Sequence, residues 1–292
     1  MIYAVRHVTE YIYGETVSTS HHDLHLLPRP VPGQTVRSEM LSASPPAAVR
    51  RDRLDWFGNR VTHIAIHERH TRLAVTSNLN IEVRREAPPD DDGAWELSRD
   101  WVRAAGEPEA REATELVMPS PRVAVSAGAL AYATPSFPAG RPLADAAREL
   151  MTRIHKDFAY DQTATDVSTP VDTVLTNRRG VCQDFAHVQI ACLRALGLPA
   201  RYVSGYLVTR PDGGPRLVGT DASHAWLSVR LPCGVWLDLD PTNDVIPGDR
   251  HITIAHGRDF GDVTPMRGVI LGGGRHQLSV GVDVIPIDIE RD

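Results

Sequence analysis

The chain has 292 residues, 31 Lys and Arg against 37 Asp and Glu, and a formal net charge of −6. That length fits one large domain or two ordinary ones, and the negative balance argues against a protein held to nucleic acid by a general basic field. With 42% hydrophobic and 23% charged residues the chain reads as globular rather than disordered. No apolar run reaches the roughly 18–20 residues of a membrane span, so no membrane partner is expected. The opening MIYAVRHVTEYIYGE alternates like a strand and has no signal-peptide core. The three cysteines make no disulfide framework. Together these features predict a cytoplasmic protein with reduced thiols.

The first ~85 residues read as β-structure by the strand signals of alternation and turn chemistry. Residues 1–13 are rich in Tyr, Val and Ile. Phe57-Gly58-Asn59 is a turn signal before a strand near 60–66. Over 71–84, Leu73, Val75, Leu79, Ile81 and Val83 share one face, interrupted only by Ser77. Several short strands of this kind suggest a β-sandwich or partial barrel. The run Pro88-Pro89-Asp90-Asp91-Asp92-Gly93 is a linker. This division gives an N-terminal β-domain over 1–88 and a second domain over 89–292, with its core motifs within 150–245.

The second domain begins with a helical stretch, roughly 94–116. Residues 117–141 read as loop, and a helix is predicted over 142–157, with Leu143, Ala146, Leu150 and Ile154 at helical spacing. A helix over 181–196 is stopped by Gly197 and Pro199. Strands follow at 201–209, 224–231 and 235–240, with a turn at 211–214. The tail 277–285 alternates again, with Leu278, Val280, Val282 and Val284 on one face. Helices and strands are segregated, so the class is α+β.

Cys182 stands where the helix over 181–196 starts. The positive end of the helix dipole and the free N–H groups there favour a thiolate, and Arg178 and Arg179 just upstream would add to it. The competing reading of any cysteine is a buried small hydrophobe. Cys192 fits that reading, on the stripe Phe185, Val188, Cys192, and Cys233 falls in a hairpin loop. Asp184 is ~200° around the helix from Cys182 and His187 ~140°, so neither faces the thiol.

A nucleophilic thiol needs a base and a group that orients the base. In SHAWLSVRLPCGVWLDLDPTN, a three-residue loop Pro232-Cys233-Gly234 pairs residue 231 with 235, with Gly234 in the left-handed position. Ala225, Leu227, Val229, Leu231, Leu237 and Leu239 then face the core. His224, Trp226, Ser228, Trp236, Asp238 and Asp240 take the other face. Trp226 falls opposite Asp240, and His224 lies diagonal to Asp240 within side-chain reach. A His–Asp pair across the hairpin follows.

The segments GVCQDFAHVQIACLRALGLPARYVSGYL, SHAWLSV and VWLDLDPTN resemble the core of the transglutaminase-like superfamily: a Cys opening a helix, then His-Ala-Trp, then Asp-Pro-Thr. YAVRHVTEYIYG, LHLLPRP, DWFGNRV and the tail HITIAHGRDFGDVTPMRGVILGGG are similar to the bacterial members that carry an N-terminal β-domain. The resemblance implies a papain-like core, with Cys182 as nucleophile, His224 as general base and acid, and Asp240 as the orienting carboxylate. The reaction implied is acyl transfer from a peptide or protein substrate through a thioester. Bacterial members of this shape look more like proteases or amidases than amine-accepting transglutaminases.

Trp226 is expected to wall the site and contact substrate. Tyr160 is a candidate second oxyanion donor, against ordinary packing with Phe158. Asp259 and Asp262 read as turn formers near the cleft. His21, His22 and His25 cluster, and His63 and His67 are spaced to share a strand face. Neither group has a recognised ligand spacing, so neither a metal nor a cofactor is expected. A catalytically inactive peptide-binding module is the alternative of another class. The N-terminal domain reads as a gate, a substrate-binding element or a dimerisation surface, so a homo-oligomer is one expectation.

Overall fold

The computed structural model describes residues 1–88, 93–208 and 223–287. Most of the 88–93 linker and the 211–214 turn lie outside the described residues. No described helix is long and apolar enough to cross a membrane.

The N-terminal sheet is built around one long strand, β1 (Ile2–Leu24). Four strands follow: β2 (Gln34–Ser44), β3 (Val49–Leu54), β4 (Arg60–Ile66) and β5 (His70–Val83). All are antiparallel, in the order β2-β5-β1-β4-β3. Along β5 the burial alternates as the sequence predicts: Leu73, Val75, Leu79, Ile81 and Val83 are all inside. Ser77 breaks the apolar face without cost because its hydroxyl donates to the Leu26 carbonyl at 3.0 Å. The register of β1 against β5 shifts between Ile12 and Val17. Beyond that irregularity Val17, Leu24, Ile64, Ile66, Leu73 and Met266 form a small core of their own.

The second half of the chain supplies α1 (Trp95–Ala104), α2 (Pro108–Thr114), α3 (Ala127–Ala133), α4 (Leu143–Asp157), β6 (Ala159–Tyr160), α5 (Val171–Asn177), β7 (Arg179–Gly180) and α6 (Cys182–Ala195). These are followed by β8 (Ala200–Leu207), β9 (His224–Arg230), β10 (Trp236–Leu239), β11 (His251–Gly257), β12 (Met266–Gly272) and β13 (His276–Pro286). The single helix expected over 94–116 is two, because Ala105 takes a left-handed conformation (φ 44°). The stretch expected as loop over 117–141 contains α3. Its Ser126 hydroxyl caps the helix by accepting from the Ala129 N–H at 3.1 Å, a local signal that the surrounding prolines and glycines outweighed.

Helix α6 is buried from Gln183 to Arg194, its polar members Gln183, Asp184, His187, Gln189 and Arg194 included. It packs on the four-stranded antiparallel sheet β10-β9-β8-β11 and against α3, α4 and α5. The fold is therefore α+β, a sheet-rich N-terminal region joined to a core of a central helix on an antiparallel sheet. The C-terminal strands depart from the expected division: β12 and β13 leave the core and pair with β1. On β13 only Val282 and Val284 of the predicted apolar face are buried, while Leu278 and Val280 are 54% and 40% exposed.

The two regions are pinned together by buried polar contacts. Asn59 is fully buried; its amide donates to the His256 carbonyl at 2.7 Å and accepts from the His256 N–H at 2.8 Å. Arg85 donates to Asp238 at 2.8 Å and to the Thr253 hydroxyl at 2.6 Å.

Candidate active site

Cys182 is the first residue of α6 and is partly exposed. The backbone N–H groups of a helix's first turn have no intrahelical acceptor, so its own N–H is available to a ligand. The chain turns into the helix through Gly180 and an extended Val181. Asp184 folds back to accept from the Val181 N–H at 2.8 Å and from Thr165 at 2.7 Å, which keeps its carboxylate off the thiol. Burial raises its pKa against these hydrogen bonds. A Cβ on Gly180 would sit 2.5 Å from the Asp184 carboxylate, so this turn requires glycine.

The hairpin register is the one read from the sequence. Trp236 pairs with Arg230 and Leu239 with Leu227; the Leu231 N–H donates to Val235 at 2.8 Å, and Gly234 has φ 94°. The geometry brings His224 Nε2 to 2.9 Å from Asp240 Oδ2, with both side chains fully buried. Asp240 opens the turn after β10. Its Oδ1 accepts from the backbone N–H groups of Thr242 at 3.0 Å and Asn243 at 3.2 Å. Its Oδ2 also accepts from the Asn243 amide at 2.9 Å.

His251, at the start of β11, is a third partner of the same oxygen, with Nε2 3.1 Å from Asp240 Oδ2. Little in the local residue pattern points to it. Its strand pairs with β8, 44 residues upstream at Leu207, so no local pattern couples it to the hairpin. Burial opposes ionisation of Asp240, but His224 and His251 override it and hold the carboxyl well below its ordinary range. Burial likewise opposes the charged form of His224, yet Asp240 and then Cys182 raise it well above an ordinary histidine. His251 goes the other way: burial lowers it despite Asp240, so it is the neutral donor of the pair.

With Nε2 committed to Asp240, the Nδ1 of His224 is the atom left for Cys182. It makes no hydrogen bond of ordinary geometry, while the thiol is near enough to raise the imidazole pKa. Loose resting contacts of this kind are common before substrate arrives. A thiol, an imidazole and a carboxylate thus converge from the start of α6, the start of β9 and the end of β10.

Other candidates fall elsewhere. Trp226, expected to contact substrate, is fully buried; its ring is stacked on His224 at 6.1 Å with an interplanar angle of 29° and lies edge-on to His251 at 5.3 Å. Tyr160 packs edge-on against Phe185, 6.4 Å between centroids, in the core cluster that also holds Phe158. Arg178 stacks over Tyr132 and Phe158, and Arg179 pairs with Asp161 at 3.7 Å. His187 is buried and its Nε2 accepts from the Phe260 N–H at 3.2 Å. Asp259 caps a turn by accepting from the Gly261 N–H at 2.7 Å, and Asp262 pairs with Arg258 at 2.9 Å.

The donor atoms of His224, Asp240 and His251 lie within 4.8 Å of one another, the spacing of a ligand set. Both Nε2 atoms are engaged with one carboxylate oxygen, and an ion would have to displace both hydrogen bonds. The sheet also brings His21 Nδ1 to 3.4 Å from His63 Nε2, while His63 Nδ1 meets Asp23 at 3.0 Å.

Comparison with known proteins identifies the family and the fold. Residues 3–82 match the bacterial transglutaminase-like N-terminal region and residues 132–241 the transglutaminase-like superfamily core. An uncharacterised protein of Mycobacterium tuberculosis is 40% identical over 98% of this chain and 93% of its own. A protein-glutamine gamma-glutamyltransferase of Pseudomonas aeruginosa is 37% identical over 97 residues, 32% of this chain and 14% of its own. A solved structure from Cytophaga hutchinsonii, provisionally assigned as a cysteine protease, superposes with a TM-score of 0.76 at 20% identity, covering 100% of this chain and 92% of its own, which is a likeness of fold. The chain belongs to the transglutaminase-like superfamily, in the bacterial form that carries this N-terminal region.

Proposed function

We propose that the protein is a cysteine-dependent acyl-transfer enzyme that hydrolyses peptide or amide bonds through a thioester. The observation that carries this reading is the buried His224–Asp240 pair, 2.9 Å apart, facing the thiol at the start of α6. Cys182 gives its proton to His224 Nδ1 and attacks the carbonyl carbon. The oxyanion is met by the Cys182 N–H. His224 then protonates the leaving amine, and a thioester remains. Water, deprotonated by His224, attacks the thioester and restores the thiol. Asp240 stays ionised throughout, fixing the imidazole tautomer and stabilising the imidazolium.

A second reading keeps the same thioester and replaces water with an amine. The likeness to the glutamine gamma-glutamyltransferase segment favours it.

The pH dependence of Cys182 alkylation by iodoacetamide, read by peptide mass spectrometry, tests the shared chemistry. Cys233 is an exposed reference, and Cys192 is buried and pushed up to about 12 by that burial. Cys182 is expected to be alkylated faster than Cys233 at neutral pH and to lose that advantage in His224→Ala. Reaction like that of Cys233 would overturn the reading. Peptide amides with and without a primary amine then separate the two acceptors by product mass.

A further inference from the structure

A crevice of about 460 Å³ lies between the N-terminal sheet and the core. It opens at the Trp236 end of β10, about 13 Å along the strand from Asp240, counting four residues at the usual rise. Its floor is the outer face of the core sheet, with Arg201 on β8, Trp236 on β10 and His256 on β11. Arg29 and Trp56 of the N-terminal region close one side, and Glu109 and Glu112 of α2 the other.

Three buried polar atoms around the crevice lack a partner, although Arg29 Nη1 donates to the Phe57 carbonyl at 2.8 Å and to Asn59 Oδ1 at 3.0 Å. The Arg201 guanidinium stacks on Trp236, 4.1 Å from the ring centroid, and makes no hydrogen bond among the described residues. Its Nε is buried and unpartnered, as are Arg29 Nε and His256 Nδ1, and His256 is only 6% exposed. Asp238, the acid whose charge acts on Arg201, is already engaged by Arg85 and Ser228. Arg194 shows what a structural buried arginine looks like here: it donates to the carbonyls of Leu116, Ala200 and Arg258 at 2.7–2.9 Å. Buried donors are almost always satisfied, so three orphans around one cavity call for an acceptor inside it. A guanidinium held flat on an aromatic ring presents its fork to a carboxylate. At the rim, Glu109 and Glu112 are exposed and make no hydrogen bond or ion pair among the described residues. Arg230, stacked on Trp101 at 3.4 Å, also lines the crevice and feels the Glu109 charge, which leaves Glu112 the freer acid; the basic floor, the rim carboxylates and the indole face between them match one chemistry.

We propose that this crevice is a second binding site, for a free amino acid or short peptide. The ligand's carboxylate sits on Arg201 and Arg29, its ammonium lies at Glu109 and Glu112, and an apolar side chain packs on Trp236. The site does not depend on Cys182 and stands apart from the reaction proposed above.

Isothermal titration calorimetry on the full chain carrying Cys182→Ala, which cannot turn the ligand over, tests it. The probes are alanylphenylalanine, its C-terminal amide, its N-acetyl form and inorganic phosphate. The free dipeptide is expected to bind; the amide, or Arg201→Gln with the free dipeptide, is expected to bind about tenfold or more weakly, the loss of one charge-assisted contact. The double variant Glu109→Gln/Glu112→Gln alters only exposed positions, and is expected to weaken the free dipeptide but not the N-acetyl form. Should Arg201→Gln fail to fold, the amide comparison and the glutamate variant still decide. Equal binding of acid and amide, binding of phosphate without the dipeptide, or no heat with any probe at millimolar concentration overturns the proposal.

Discussion

His251 and His224 share one oxygen: their Nε2 atoms lie 3.1 and 2.9 Å from Asp240 Oδ2. Burial lowers both imidazoles and the shared carboxylate raises both, yet His224 ends above the ordinary histidine value and His251 below it. Cys182 adds to the rise at His224, whereas the charges of His224 and Arg85 add to the fall at His251. Among the described residues the Asp240 carboxylate accepts five hydrogen bonds, which fix its orientation toward the imidazole.

His251 is therefore expected to act as a positioning residue. Replacing it by Phe removes a donor to Asp240, and about a tenfold loss in the rate of Cys182 alkylation near neutral pH is expected, the scale of one hydrogen bond to a charged group. A purely structural role would lower melting temperature without moving the alkylation pH profile. A profile unchanged from wild type would reject the positioning role.

Gly205 lies beneath the same group. A Cβ there would meet the Ile252 carbonyl oxygen at 2.1 Å and the Trp226 ring at 2.4 Å. Gly205→Ala must push the indole that backs His224. An overpacking cost of about 1–3 kcal/mol is expected in urea unfolding, with slower Cys182 alkylation in the folded state. Gly281→Ala, where nothing lies within 4 Å, is the neutral comparison.

Asn59 joins the two regions. Asn59→Ala leaves the buried N–H and carbonyl of His256 without partners, and the Arg29 guanidinium without one of its acceptors. A loss of about 2–3 kcal/mol is expected, from unsatisfied buried groups rather than lost volume. Chemical denaturation followed by tryptophan fluorescence measures it.

Acid should unfold this protein steeply. Burial lowers His7 and His22 to about 4 and His187 to about 3, against an ordinary 6.5. Between those values and 6.5 the unfolded chain binds more protons than the folded one, so stability falls as pH falls through that window. Each such histidine contributes a slope of about 1.4 kcal/mol per pH unit. Melting temperature measured from pH 7 to 4 checks this, and His187→Gln should flatten the slope by one histidine's share.

Much of this protein is legible in its residues alone. The period of two along β5 fixes which face is buried, and Ser77 is its only polar member because one carbonyl waits for it. The loop Pro232-Cys233-Gly234 sets the hairpin register, and the register sets the His224–Asp240 pair. These are short-range relationships, decided by pleat and turn geometry within 17 residues. Tertiary structure decided the rest. His251 reaches Asp240 through a strand whose partner lies on β8. Trp226 is buried against His224 and His251 because Gly205 leaves room for it on the neighbouring strand. The tail alternates as a strand should, but pairing it with β1, more than 250 residues upstream, takes the whole fold. Pleat and turn act between neighbours, whereas these contacts depend on which surfaces remain to be covered once the core has closed.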